Sequence, residues 1–209
     1  MPDSDVCVIH VSPYSGQTVT VQGVIFEKTL QAISNSNNTY KGFYLQSTAD
    51  TTDGEANTSD GLFVFMNTAS SIGTYTPMVG DEIVLKGKVS EYFNMTELGS
   101  PLTVMSVVRN GVNIEAEVPP VVADPPASLA KANCYWERLQ SMRVQVPQNS
   151  IVLGGRNVFS PADAEIWVAS PDSTIAQRAN PYARKAYRDA HPLDDNYDPT
   201  NCMPARMGS

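Results

Sequence analysis

The chain has 209 residues with 13 Gly, 15 Pro and 8% aromatic residues, and its formal net charge at pH 7 is -8. This length allows one large domain or two small ones, and the composition is typical of a loop-rich β protein rather than a helical bundle. No run approaches the roughly 18 apolar residues of a membrane span, and the first residues lack the basic start and apolar stretch of a signal peptide.

The negative charge lies in the first half of the chain. Residues 1–118 contain 5 Lys and Arg against 13 Asp and Glu, whereas residues 119–209 contain 9 of each. An acidic first half is a poor electrostatic partner for phosphate, because non-specific nucleic-acid affinity comes mainly from counterion release by Lys and Arg. Nucleic-acid binding by this half would therefore depend on aromatic stacking, on a bound cation, or on the second half.

Five strand-like segments follow one another in the first 110 residues, at 18–28, 42–47, 61–66, 81–93 and 97–109. This series predicts an all-β fold, a five-stranded Greek-key barrel of the OB type. Gly23 and Pro101, each inside a segment, indicate bulges or bends. Alternation within the segments predicts the core residues Val19, Val21, Ile25, Phe43, Leu45, Phe63, Val84 and Val89.

The proline-rich run 118–126 (VPPVVADPP) is typical of a stiff linker, so we predict a domain boundary there, after a first domain of residues 1–117. For the remainder, residues 127–209, we predict a smaller OB-like β unit that lacks an obvious final strand or helix to complete it. We expect strands at 136–146 and 165–169 and a helix at 173–190. The predicted helix contains the one cluster of basic residues in the chain: Arg178, Arg184, Lys185 and Arg188. These residues could contact phosphate, but a solvent-exposed charged helix face is the commoner explanation.

The loop between the second and third strands is rich in oxygen ligands. It contains Asp50, Asp53, Glu55 and Asp60, and clustered carboxylates of this kind suit a hard cation such as calcium. The spacing is not that of an EF-hand. The alternative, which we favour, is a solvated loop whose side chains cap its own backbone.

Aromatic and polar residues suggest a second site. OB barrels bind single strands across their second and third strands, beside the loop that joins the fourth and fifth, by stacking bases on aromatic rings. The alternative is that these rings complete the core or protect a sheet edge. The candidate nucleic-acid-binding residues are Tyr44, Gln46, Tyr92, Lys41 and Asn94.

The cysteines and histidines favour no metal centre. Cys7, Cys134 and Cys202 have no C-x-x-C spacing, so a zinc site is not predicted. One disulfide with one free thiol and three buried thiols both remain open. His10 and His191 are too far apart in the chain to suggest a cluster.

Several blocks, in order, resemble a known family. VQGVIFEK, GFYLQ, TSDGLFVF and VGDEIVLKGKVSEYFNMTEL, within residues 17–110, are similar to the OB-fold accessory module of large secreted bacterial nucleases. In that family the module precedes a catalytic domain of the endonuclease/exonuclease/phosphatase type. The resemblance implies weak binding of DNA or RNA, no membrane association, a downstream catalytic domain in the parent protein, and an extracellular or periplasmic location.

No segment matches the catalytic domain of that family, so no catalytic residue is assigned. We expect this chain alone to be a non-catalytic module of a secreted nuclease-like protein that binds or positions nucleic acid, with single strands preferred. The alternative function is a structural or protein-interaction module whose acidic loop binds calcium. Independent enzyme activity is the least favoured hypothesis.

Overall fold

The computed structural model describes residues 11–32, 39–66, 72–126, 129–152, 157–160, 163–165 and 168–169. Its regular structure is mostly β, as predicted. The chain divides into two units, residues 1–145 and 146–209. None of the helices in the described ranges has the length and apolar character that a membrane crossing requires.

Five strands form the sheet of the first unit: β1 (Thr18–Ala32), β2 (Thr39–Gln46), β3 (Gly61–Met66), β4 (Glu82–Tyr92) and β5 (Met95–Arg109). Their order is β1-β2-β3-β5-β4, and the sheet closes on itself because β1 also pairs with β4. All pairs are antiparallel except β3 with β5. The predicted five strands are therefore present, each near its expected position.

Strand β1 serves both sides of the closure, because Val24 has a register partner in β2 and another in β4. The bend that Gly23 predicts is found next to it, as a register shift between Ile25 and Glu27. A Cβ on Gly23 would lie 3.0 Å from the backbone carbonyl oxygen of Gln46. Glycine therefore permits the close approach of β2 at the point where β1 changes partner.

The irregularity that Pro101 predicts lies between β4 and β5. Lys86 pairs with Thr103 and Lys88 pairs with Gly99, so three residues of β5 lie opposite Gly87 alone. A Cβ on Gly87 would lie 2.7 Å from side-chain atoms of Leu98 and Leu102. Leu102, which lies in the bulge, and Leu98 thus occupy the space that Gly87 leaves open.

The core lies inside the closed sheet, and its buried side chains are Ile25, Phe43, Leu45, Val64, Met66, Ile72, Ile83, Leu85, Val89, Leu98 and Leu102. Val19 and Val21 are partly buried against it. The predictions for Phe63 and Val84 are wrong. Strand β3 directs Val64 and Met66 inward, and β4 directs Ile83 and Leu85 inward, so both predicted residues fall on the opposite face. Strand β3 carries apolar residues on both faces, so alternation alone could not fix its phase. In β4 the exposed Lys86 and Lys88 lie on the same face as Val84 and already marked that face as the outer one.

The predicted linker 118–126 falls within the first unit, and part of it is buried. Val118, after α1 (Ile114–Glu117), is buried. Strand β6 (Val121–Val122) pairs in parallel with β7 (Val144–Gln145). The Tyr135 hydroxyl accepts a hydrogen bond from the Asp124 backbone N–H at 2.7 Å.

The predicted strand at 136–146 is wrong over its first part. Residues Leu129–Glu137 form helix α2, and the strand is confined to β7. The segment LAKANCYWE contains Ala, Leu, Lys and Glu, which are strong helix formers. Cys134 in α2 is disulfide-bonded, and its partner lies outside the described residues. The alternative of three buried thiols is therefore excluded.

The described part of the second unit consists of short strands: β8 (Ile151–Val152), β9 (Asn157–Ser160), β10 (Asp163–Glu165) and β11 (Val168–Ala169). β9 pairs with β10 and β8 pairs with β11, both antiparallel. The strand predicted at 165–169 therefore corresponds to the end of β10 and to β11. The helix predicted at 173–190, with its four basic residues, lies outside the described residues.

Candidate functional site

The turn between β4 and β5 carries two exposed aromatic side chains. Tyr92 and Phe93 are 60% and 88% exposed, and their rings meet edge to face with centroids 4.7 Å apart. Tyr92 pairs with Met95, so Phe93 and Asn94 alone form the turn, with φ values of 47° and 64°. Two successive positive φ values are typical of the tight turn that matches the twist of a hairpin. The turn thus presents an aromatic pair to solvent.

A second aromatic group lies on the outer face of β2 and β3. The Tyr44 ring contacts Phe26 and Phe63, with centroid distances of 5.8 and 4.9 Å. Burial, and to a smaller extent the charge of Glu27, raises the pKa of the Tyr44 hydroxyl. Tyr44 is half-buried, so only part of its ring remains available. Lys41 also lies in β2, but its side chain is outside the described part of the structure.

One end of that outer face is covered by residues 139–143 of the same chain, which we name the covering segment. Gln46 is 5% exposed, and its Oε1 accepts a hydrogen bond from the Arg143 backbone N–H at 2.8 Å. At Gly61, the Ser141 carbonyl fills the space that a Cβ would occupy. Gln46, a predicted nucleic-acid-binding residue, is therefore buried and bonded within the chain, and its binding role stays a prediction.

Gln140 joins the covering segment to the aromatic turn. Its Nε2 donates to the Asn94 carbonyl at 3.0 Å, and its Oε1 accepts from the Thr96 backbone N–H at 2.8 Å. The Gln140 carbonyl also accepts a hydrogen bond from Ser59 Oγ at 2.5 Å. The side chain of Asn94, a candidate binding residue, is exposed, and its main-chain carbonyl helps to hold the turn.

Two carboxylates of the acidic loop, those of Asp53 and Asp60, bond within the loop. Asp53 Oδ1 accepts from the Glu55 backbone N–H at 2.9 Å, and Asp60 Oδ1 accepts from Thr52 Oγ1 at 2.7 Å. Asp50 is exposed. The whole loop is described, and among the described residues no three Asp, Glu, His or Cys side chains form a group that could hold a metal ion. This is the arrangement expected of side chains that stabilise their own turns.

The two aromatic groups and the covering segment are thus the features that bear on function. No protein-family model, curated protein or solved structure matches this chain. Its function is therefore inferred from its own geometry, and the resemblance to secreted nucleases stays an expectation.

Sequence reasoning missed one buried carboxylate on this face. Glu97 is 8% exposed and accepts a hydrogen bond from Ser90 Oγ at 3.2 Å. Burial raises the pKa of Glu97, the Ser90 hydrogen bond opposes this rise, and the charge of Glu91 adds to it. In the sheet register Glu97 lies opposite Phe63, on the outer face of β5. A single glutamate within a strand is normally expected to face solvent, so the sequence did not predict that Glu97 would be buried on the outer face of β5.

Sequence reasoning also missed the covering segment, because residues 139–143 fall within the strand predicted at 136–146. Its attachment depends on Arg143, whose guanidinium donates to the carbonyls of Val118 at 2.6 Å and Ile114 at 3.2 Å. The same guanidinium forms an ion pair with Glu115 at 2.5 Å. The local sequence around Arg143 does not predict these contacts, because its partners lie 25–29 residues earlier in the chain.

Proposed function

We propose that the closed sheet is an OB-type Greek-key barrel and that it is a non-catalytic module that positions single-stranded nucleic acid. The strand order β1-β2-β3-β5-β4, with β3 and β5 parallel, supports the OB assignment. In OB folds the β4–β5 loop and the β2–β3 face bind oligonucleotides. The resemblance to modules of secreted nucleases extends the proposal to an extracellular or periplasmic protein whose parent hydrolyses phosphodiesters.

The exposed Tyr92–Phe93 pair carries this proposal. Phe93 lies in the left-handed region, which costs a bulky residue on the order of 1 kcal/mol or more. The side chain regains little of this cost by burial, since it is 88% exposed. A strained, exposed aromatic pair is suited to stacking on an unpaired base, which contributes roughly 1–3 kcal/mol per base.

The charge of the module favours stacking over phosphate contact. Residues 1–118 carry 13 acidic and 5 basic residues. Few counterions are released when such a surface meets a polyanion, so affinity should be weak and should depend little on salt. Duplex DNA hides the faces of its bases, so single strands should bind better than duplexes.

The test is fluorescence anisotropy with a labelled oligothymidylate and the matching duplex. Phe93→Ala and Tyr92→Ala should each weaken single-strand binding by roughly 5-fold to 100-fold. Met78→Ala is the control, because Met78 is also an exposed apolar side chain but precedes the start of β4, whereas the turn follows the other end of that strand. The affinity of this control variant for the oligothymidylate should equal that of the unmodified chain.

A second candidate function is a structural or protein-interaction module. The covering segment favours it, because it occupies the end of the β2–β3 face that contains Gln46. Absence of oligonucleotide binding at low salt would support this second candidate and contradict the first. Steep salt dependence, with Phe93→Ala without effect, would also contradict the stacking site.

A further inference from the structure

A cleft of about 750 Å³ opens at one end of the closed sheet. Its lining comes from Ser12, β1, the end of β2, the loop that leads to β3, the start of β3, Thr96 of β5, and residues 137 and 140. This volume lies within the range of roughly 300–1,000 Å³ typical of small-molecule sites, and such sites often occur at the mouths of closed sheets. None of Tyr44, Tyr92 and Phe93 lines the cleft, so it uses different side chains from the proposed stacking site, although it adjoins the aromatic turn through Thr96 and Gln140.

The cleft has an apolar part. Leu45 belongs to the buried core, and Val21 and Leu62 pack against that core. All three also line the cleft. Leu45 is 3% exposed and forms only the floor, so Val21 and Leu62 supply most of the apolar surface, on which an apolar group of a ligand could be removed from water.

The rest of the lining is polar, and its charge has one sign. Asp53, Asp60 and Glu137 line the cleft, and the other polar side chains there are hydroxyls and amides. No Lys, Arg or His appears among the described residues that line it. A low-dielectric cleft surrounded by one sign of charge concentrates ligands of the opposite sign.

We propose that this cleft binds an amphipathic organic cation, with its apolar body against Val21, Leu45 and Leu62 and its ammonium group toward Asp53 and Asp60. The geometry that supports the assignment is the juxtaposition of an apolar wall with an acidic rim. Anionic ligands are disfavoured because no described cation is available to neutralise them. This inference does not depend on the nucleic-acid proposal, since the two use different residues.

The experiment compares three probes with the same six-carbon body: hexylammonium, hexanol and hexanoate. Each is titrated into the full chain at pH 7, and backbone amide chemical shifts are followed by NMR. Hexylammonium should bind saturably at one site, with the largest shifts at Thr58 and Gly61, which line the cleft. It should bind about tenfold more tightly than hexanoate, with hexanol between them, and the preference should shrink at high salt.

Variants separate the rim from the wall. Asp53→Asn combined with Asp60→Asn keeps the acceptor oxygens that hold the loop but removes two charges, and should bring hexylammonium and hexanol to within about twofold of each other. Asp50→Asn is the matched control, because Asp50 lies in the same loop and does not line the cleft. Val21→Thr, which preserves side-chain volume, should weaken all three probes equally.

Three results would overturn the proposal. The first is equal affinity for the three probes, which would remove the role of charge. The second is a loss of hexylammonium binding in Asp50→Asn as large as in the double variant. The third is the absence of a saturable shift at the cleft in a chain whose amide spectrum shows that it is folded.

Discussion

Ser141 lies directly over Gly61, with its carbonyl in the space where a Cβ on Gly61 would sit. Both groups belong to the backbone, so neither can move aside as the end of a flexible side chain can. Glycine at the start of β3 is therefore what allows the covering segment to approach the sheet. The contact joins two parts of the chain that are 80 residues apart in sequence.

Gly61→Ala should destabilise the protein because the added methyl group overlaps the Ser141 carbonyl. The expected loss in free energy of unfolding, measured by urea denaturation, is on the order of 1–3 kcal/mol. Gly99→Ala is the control, since a Cβ there would meet Ser90 Oγ at 3.6 Å, an ordinary contact. A loss no larger for Gly61→Ala than for Gly99→Ala would contradict the observed packing.

Gln140→Ala should loosen the β4–β5 turn, because the Thr96 N–H and the Asn94 carbonyl both lose their side-chain partner. The stability loss should be about 1 kcal/mol, since water replaces part of what is lost. Hydrogen exchange of the Thr96 amide should become faster. In Gln148→Ala, which changes an exposed glutamine, that exchange rate should stay the same.

Phe43→Ala and Phe93→Ala should differ greatly in their effect on stability. Phe43 is fully buried in the core, and its truncation should cost about 3–5 kcal/mol or prevent folding. Phe93 is exposed, and its truncation should change the free energy of unfolding by less than about 0.5 kcal/mol. Chemical denaturation of both variants checks the assignment, and similar losses would mean that the faces are wrongly assigned.

The positions of the strands could be predicted from sequence, but not the faces of all of them. β1 alternates clearly, whereas β3 reads GLFVFM, with apolar residues on both faces. A Cβ on Gly42 would overlap the Phe63 ring, so the missing side chain at Gly42 provides the space that Phe63 occupies on the outer face. The outward position of Phe63 thus depends on a residue of a different strand, so the sequence pattern of β3 alone could not predict it.

The candidate site was predictable only in part for the same reason. The fourth predicted segment ends at residue 93, which places Tyr92 beside the turn, and Tyr92 is exposed there. The burial of Gln46 follows from the Arg143 backbone N–H, which arrives from a segment 97 residues later in the chain. Side-chain roles that depend on such distant contacts need the tertiary structure.

Glu97→Gln should stabilise the protein at neutral pH. The pKa of Glu97 is raised in the folded state, so the folded protein holds this proton more tightly than the unfolded chain does. Ionisation of Glu97 therefore costs stability as pH rises above the ordinary pKa of a glutamate, and the full cost is present above its raised folded-state pKa. Glutamine removes this cost and keeps an acceptor for Ser90.

Thermal unfolding from pH 3 to pH 7 measures this effect. The melting temperature of Glu97→Gln should exceed that of the unmodified chain at pH 7, and the difference should disappear below about pH 4. Glu55→Gln, which changes an exposed glutamate of the acidic loop, should show no such gain. A gain independent of pH would assign the effect to packing rather than to ionisation.

The closure of the sheet joins residues far apart in the chain. Thr18 pairs with Lys88, and the Gly16 N–H donates to the Val89 carbonyl at 2.9 Å. To form each such pairing, the chain must first lose the conformational entropy of a long loop, before the hydrogen bonds of the pairing compensate for that loss. Topologies of this kind fold in milliseconds to seconds rather than microseconds. Until closure, β1 and β4 each present an unpaired edge to other chains. Refolding yield should therefore fall as protein concentration rises, because encounters between open chains compete with the intramolecular ring closure.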